Sequence, residues 1–84
     1  RMEELRAFAS RHQPGVARLL HLLETRSPER HAKAVQALDR DVRRLEAMQL
    51  RDADLYHLAL ERWKNRSGID LTLAQIEIAW YGAA

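Results

Sequence analysis

Histidine and carboxylate side chains at helical spacing are the groups in this sequence that could bind a metal ion. His57 and Glu61 are four residues apart, and His21 and Glu24 are three apart. On an α-helix, residues at these separations lie on the same face and can share a ligand. A metal site needs three or four ligands that meet in space, and neither pair has the ligand density of a motif such as HExxH. We therefore interpret both pairs as half-exposed helix residues and expect no cofactor.

Basic residues form a second candidate site, for phosphate groups. They recur at spacings of seven, four and seven residues, which places them along one side of a helix; they are Lys33, Arg40, Arg44 and Arg51. Such a stripe could follow the phosphates of a nucleic acid. Acidic residues are interleaved with it, and the net charge is only +2, so little counterion-release energy is available. We interpret this side of the helix as a solvent-exposed face with ion pairs such as Asp39–Arg43 and Asp41–Arg44. Nucleic-acid binding through Arg40, Arg44 and Arg51 is the alternative.

Groups suited to catalysis are few. The chain has no cysteine, and its three glycines do not form the spaced motif of a phosphate-binding loop. Ser10 and Ser67 lack the context of a nucleophile elbow. The carboxylate pairs Glu3–Glu4 and Asp52–Asp54 stand at predicted helix starts, where the helix dipole explains them. We predict that the protein is not an enzyme.

The elements that must position these groups are predicted to be helices almost throughout. Apolar residues recur at three- and four-residue spacing, as on the inner face of a helix. A proline in the first turn and Ser27 as an N-cap mark helix starts. The predicted helices cover about residues 2–12, 14–25 and 28–50, with a fourth that begins at 52–54. The third is predicted to be the longest and to form the spine of the bundle.

The segment GIDLTLAQIEIAWYG, residues 68–82, admits two readings. The preceding Asn65–Gly68 is typical of a helix end, because glycine can take the left-handed conformation. Apolar residues then alternate from Ile69 to Leu73, as in a strand, but a single strand has no pairing partner. Thr72 and Gln75 have the spacing of a capping box. We therefore predict a further, C-terminal helix.

This C-terminal helix is expected to be apolar on two faces. Leu73, Ile76 and Trp80 fall on one face, and Ala74, Ile78 and Tyr81 fall on another. A helix of this kind must be buried on two sides, and in so small a bundle the second side could come from another chain. Aromatic residues often anchor protein interfaces. The predicted partner-binding residues are Ile76, Ile78, Trp80 and Tyr81.

Short segments resemble known helical families. "LTLAQ", Leu71 to Gln75, is similar to the LTxxQ motif of periplasmic chaperones and metal-stress sensors of the Spy and CpxP type, a resemblance that implies export and client or metal binding. Those families usually carry the motif twice, and this chain has one copy. Residues 52–81 resemble the helix pair of tetratricopeptide repeats. "RDADLYHLALERWK", residues 51–64, resembles segments of uncharacterised small bacterial helical proteins, a likeness that implies no function.

Length and composition indicate the number of domains and whether the chain contains a membrane span. With 84 residues there is room for one domain, 1–84, and the first residue is Arg, as in a fragment or a processed chain. No apolar run is long enough for a transmembrane helix, and the compartment stays open between cytoplasm and periplasm. We predict an all-α domain, a small antiparallel bundle of four to five helices. Its expected role is to bind a partner protein or itself through the apolar C-terminal helix; nucleic-acid binding and a periplasmic chaperone or metal sensor are the alternatives.

Overall fold

The computed structural model describes the backbone of residues 1–82 and the side chains of residues 1–73. Four α-helices follow one another, and no strand occurs in these 82 residues; the helices are α1 (Met2–His12), α2 (Pro14–Arg26), α3 (Pro28–Arg51) and α4 (Ala53–Gly82). The predicted all-α class is confirmed, with four helices. Within the described part of the chain, none of them is both long and apolar enough to cross a membrane.

Single residues connect the helices, and local chemistry explains where each helix begins. Pro14 and Pro28 occupy the first turns of α2 and α3, where the missing N–H of proline costs nothing. The Ser27 hydroxyl accepts a hydrogen bond from the backbone N–H of Arg30 at 3.4 Å. A carboxylate oxygen of Asp52 accepts the N–H groups of residues 54 and 55 at 3.0 and 3.2 Å. These caps satisfy donors that a helix start leaves unpaired, and the predicted starts are confirmed.

The helix end predicted at Asn65–Gly68 is wrong, because α4 continues through it. The Ser67 hydroxyl donates to the carbonyl of Trp63 at 2.7 Å, and the Thr72 hydroxyl donates to that of Gly68 at 3.0 Å. Both side chains therefore bond back within the helix. No glycine in the described part of the chain has a positive φ, and a glycine inside a helix costs only about 1 kcal/mol relative to alanine. The fourth and fifth predicted helices are thus one helix of 30 residues, longer than the 24 residues of α3.

The hydrophobic core lies between the first three helices. Its buried cluster contains residues from all three: Leu5, Ala9, Leu20, Leu38 and Val42. From α4, the half-buried Trp63 packs against this cluster, and its ring meets the edge of Phe8 with centroids 5.1 Å apart. Leu60 is the buried apolar residue of α4 among those described. The inner side of α4 is therefore the side that carries Leu60 and Trp63.

Cross-helix contacts fix the directions of the helices. Arg6 of α1 pairs with Glu24 of α2 at 3.0 Å, which places the start of one helix beside the end of the other. Ala37 and Asp70 line one end of the space between α3 and α4, and Met48 and Ala59 line the other. Both helix pairs are therefore antiparallel, as predicted.

Two contacts at the α1–α2 junction position α4. Gln13 donates from its side-chain amide to the carbonyl of Lys64 at 3.0 Å. Gly15, buried in the first turn of α2, lies so close to α4 that a Cβ there would collide with the side chain of Leu71. These contacts hold one side of α4 against the bundle and leave the opposite side outward.

Candidate partner-binding surface

Large apolar side chains are exposed along the outward side of α4. Leu55, Leu58, Ile69 and Leu73 are between 49% and 65% exposed. At about 100° per residue, these four residues fall within a stripe roughly 80° wide, whose centre lies about 130° around the helix from the midpoint of Leu60 and Trp63. Arg62 and Arg66 fall within the same stripe and are also exposed. We call these six residues the outer face of α4.

The four predicted partner-binding residues have their backbone within α4, but their side chains lie outside the described residues. Their register on the helix can still be compared with that of described residues. Ile76 and Trp80 follow Leu73 by three and seven residues and so share the register of the outer face. Ile78 and Tyr81 follow Leu60 and Trp63 by 18 residues, five full turns, and so share the register of the inner side.

A groove lies between α3 and α4, beside the outer face. It consists of two adjoining depressions with volumes of about 230 and 330 Å³. Arginines from both helices line it: Arg40, Arg44, Arg62 and Arg66. We call it the arginine groove. Two residues of the predicted basic stripe, Arg40 and Arg44, therefore lie in the groove, whereas Arg51 does not line it.

The charges of the arginine groove are only partly compensated. Its two acidic residues, Asp41 and Asp70, leave a net charge of +2 against the four arginines. Arg44 Nη2 lies 3.6 Å from Asp41 Oδ1, which confirms that predicted pair. Among the described residues, the other three arginines of the groove have no hydrogen-bond or ion-pair partner. Three guanidinium groups are thus available to an anionic ligand.

A second charged cluster joins the start of α1 to α3. Arg1 donates to Asp39 Oδ1 at 2.8 Å and lies 3.4 Å from Glu46 Oε1. Arg43 donates to Asp39 Oδ2 at 3.1 Å, which confirms the predicted Asp39–Arg43 pair. The hydrogen bond from Arg1 is the main reason that the pKa of Asp39 is lowered. This cluster is a network in which Arg1 and Arg43 share Asp39, and it connects α1 to α3.

The remaining histidine and carboxylate groups of the described part of the chain were compared with the requirements of a metal site. The residues that the structure describes contain no group of three or more His, Asp or Glu side chains that could hold a metal ion. Partial burial, together with the nearby charges of Lys64 and Arg11, lowers the pKa of His12. His12 packs against Phe8, with ring centroids 4.7 Å apart.

The sequence pattern did not single out Arg62 and Arg66. Their spacing of four residues on a helix was visible, but only the packing of α4 against α3 brings them beside Arg40 and Arg44. Comparison of the chain with protein-family models, with curated proteins and with solved structures finds no match. The chemistry of the outer face and of the arginine groove is therefore the basis for a function.

Proposed function

We propose that the protein is a non-catalytic helical interaction or assembly subunit, which binds another protein or a second copy of itself through the outer face of α4. One observation carries this proposal: four large apolar side chains are exposed in one register of a single helix. Isolated exposed apolar residues are ordinary on protein surfaces, whereas an aligned set is typical of an interaction site. Anchors at spacings of three, four and seven residues are the pattern with which helices pack into a partner's groove.

The register of the C-terminal residues extends this surface. Ile76 and Trp80 continue the spacing of Ile69 and Leu73, so we place them in the contact. Trp80 would supply the aromatic anchor that dominates the energy of many interfaces. Ile78 and Tyr81 share the register of the inner side, and we assign them to packing within the bundle. The proposed contact therefore uses two of the four residues that the sequence pattern indicated.

The test of the proposal is molar mass in solution across a dilution series, measured by light scattering behind gel filtration. We expect a species heavier than the 9.8 kDa monomer, either alone or with a partner captured from the host. The double variant Ile69→Ser/Leu73→Ser should lose this species and keep its helicity, because both side chains are already exposed. Leu50→Ser is the matched control, since Leu50 is 90% exposed but lies on α3.

Two further variants separate the outer face from the inner side. Trp80→Ala should weaken association and leave the melting temperature nearly unchanged, whereas Tyr81→Ala should lower the melting temperature. If Ile69→Ser/Leu73→Ser unfolds the domain, these residues belong to the core and the proposal fails. If the double variant associates as the wild type does, the contact lies elsewhere.

A nucleic acid is the second candidate ligand, and a specific observation favours it. The predicted residues Arg40 and Arg44 line the two adjoining depressions of the groove together with Arg62 and Arg66. Phosphate contacts would make the affinity fall steeply between 50 and 200 mM salt, by about tenfold or more for three contacts. Negligible binding of single- and double-stranded DNA at 50 mM salt would exclude this candidate.

A further inference from the structure

We infer that the partner of the outer face is an amphipathic helix whose centre is acidic, and that the arginine groove recognises its carboxylates. This inference rests on the proposed function and specifies the chemistry of the partner. The inference follows from the position of the arginines within the apolar surface. The two alternative partners, a second copy of the chain and a nucleic acid, each conflict with a feature of that surface.

Two arginines interrupt the outer face at its middle. Leu55 and Leu58 precede Arg62 and Arg66, and Ile69 and Leu73 follow them. A helix that covers both apolar groups must therefore cross the two guanidinium groups. Removing a charge from water without a partner is costly. Carboxylates at the centre of the crossing helix would pair with these guanidinium groups, which have no partner among the described residues.

The groove adds further positive charge beside the crossing point. Arg40 and Arg44 line the same groove from α3 as Arg62 and Arg66 line from α4, with Arg40 in one depression and Arg62 in the other. Arginine binds carboxylates with two parallel hydrogen bonds, so acidic residues on one flank of the partner helix can reach the groove while its apolar residues lie on α4. The apolar and the basic surfaces are contiguous, and one amphipathic helix can satisfy both.

A second copy of α4 does not meet this requirement. In a parallel pair in register, Arg62 faces Arg62 and Arg66 faces Arg66. In an antiparallel pair centred on residues 62–66, the two arginines of one copy face those of the other. Like charges across an interface oppose association. The arginines therefore favour a different, acidic chain over self-association.

A nucleic acid also fits less well. Asp41 and Asp70 lie in the groove and would repel a continuous line of phosphates. A phosphate backbone would also leave the flanking apolar residues, Leu58 and Ile69, exposed to water. An acidic amphipathic helix accounts for both the groove and the flanking apolar residues, because it brings separate carboxylates together with apolar side chains.

The experiment measures binding of synthetic helical peptides to the full chain by fluorescence anisotropy. The probe is a fluorescein-labelled 21-residue peptide with leucine at heptad a and d positions and glutamate on one flank. The matched probe has glutamine in place of every glutamate, and a third probe is a 15-residue oligothymidylate. We expect the acidic peptide to bind at least tenfold more tightly than the glutamine peptide, as several exposed ion pairs together supply about this factor.

Charge-reversal variants locate the binding site. Arg62→Glu/Arg66→Glu should weaken binding of the acidic peptide by about tenfold or more, and should strengthen binding of a peptide with lysine in place of glutamate. Arg18→Glu is the control, because Arg18 is exposed on α2 and does not line the groove. Circular dichroism of each variant establishes that it is folded.

Each contrary outcome overturns the inference in a recognisable way. Equal binding of the acidic and the glutamine peptides, with loss in Ile69→Ser/Leu73→Ser, would retain the proposed function and remove the role of the groove. Tighter binding of oligothymidylate, lost in Arg62→Glu/Arg66→Glu, would identify a nucleic-acid site instead. A dimer that ignores the acidic peptide and dissociates in Ile69→Ser/Leu73→Ser would identify a second copy as the partner. Absence of both peptide binding and association would contradict the inference and the proposed function together.

Discussion

The carboxylate of Asp39 accepts hydrogen bonds from two arginines, from Arg1 at 2.8 Å and from Arg43 at 3.1 Å. Its pKa is lowered from the ordinary value of 3.8, mainly by the hydrogen bond from Arg1. A carboxyl group with a lowered pKa stabilises the fold above its unfolded-state pKa, and this contribution is lost as the pH falls through the native value. The hydrogen bonds of Asp39 therefore stabilise the fold at neutral pH, and their contribution changes with pH only in strongly acidic solution.

His12 affects stability in a different pH range. Its pKa is lowered from 6.5 by partial burial first and by the charges of Lys64 and Arg11 next. The native state thus favours the neutral ring, and the unfolded state takes up the proton at higher pH. Stability from this residue is complete well above pH 6.5 and is lost as the pH falls below that value.

A substitution at His12 tests this dependence. We expect the midpoint of urea unfolding to decrease from pH 8 to pH 5 in the wild type, and to change much less in His12→Gln. His57→Gln, at an exposed histidine of α4, should retain the slope of the wild type. A flat wild-type curve over this range would show that His12 does not carry the effect.

At the scale of elements, two glycines give opposite tests of how α4 packs. At Gly68, an added Cβ would lie 3.6 Å from Gln13 Nε2, an ordinary contact, whereas at Gly15 it would collide with Leu71. Gly68→Ala should therefore stabilise the protein by about 0.5–1 kcal/mol, the gain in helix propensity. Gly15→Ala should be less stable than Gly68→Ala by about 1 kcal/mol, the lower end of the usual cost of overpacking, because the atom that must move is a terminal methyl group of Leu71.

Urea denaturation of both variants, alone and combined with Leu71→Ala, supplies the measurement. Removing the Leu71 side chain should relieve the cost at Gly15 and leave the effect at Gly68 unchanged. Loss of stability in Gly68→Ala would mean that the helix ends there in the left-handed conformation, as the sequence pattern indicated.

Local signals explain which elements were predictable. The starts of α2, α3 and α4 depend on Pro14, Ser27 with Pro28, and Asp52, whose effects act within one turn, and these starts were predicted correctly. The continuity of α4 was not predictable in the same way. Ser67 and Thr72 resemble residues of a helix boundary, yet their hydroxyls bond to carbonyls of the same helix. Which pattern prevails depends on packing against the α1–α2 junction, and local spacing does not contain this information.

The candidate surface was predictable to a similar extent. Spacing along α3 identified Arg40 and Arg44, because residues on one helix have a known geometry. Arg62 and Arg66 belong to another helix, and their position beside the first pair depends on how the two helices pack. The second apolar face of the C-terminal helix was expected from the helical spacing of its apolar residues, and the exposure of Leu73 agrees with that expectation in the described part of the helix.

For the whole molecule, the distribution of buried residues separates α4 from the other helices. At 1.5 Å per residue, a helix of 30 residues is about 45 Å long, close to the 47 Å longest dimension of the molecule. The outer face, from Leu55 to Leu73, spans about 27 Å of this length. Among the residues whose side chains are described, the principal buried cluster, however, belongs to the first three helices. We expect α4 to open at a lower free energy than this cluster, because its outer face is exposed.

Hydrogen exchange followed by mass spectrometry tests this division and links it to binding. In the free protein, amides near Leu5, Leu38 and Val42 should exchange most slowly, and those of residues 53–73 should exchange faster, because α4 lacks cover on its outer face. The acidic peptide should slow exchange in residues 53–73 and leave the core amides unchanged, since binding stabilises the segment that opens most readily. If residues 53–73 of the free protein exchange as slowly as the core, both sides of α4 are already packed within one chain, and the outer face is not a site for a partner.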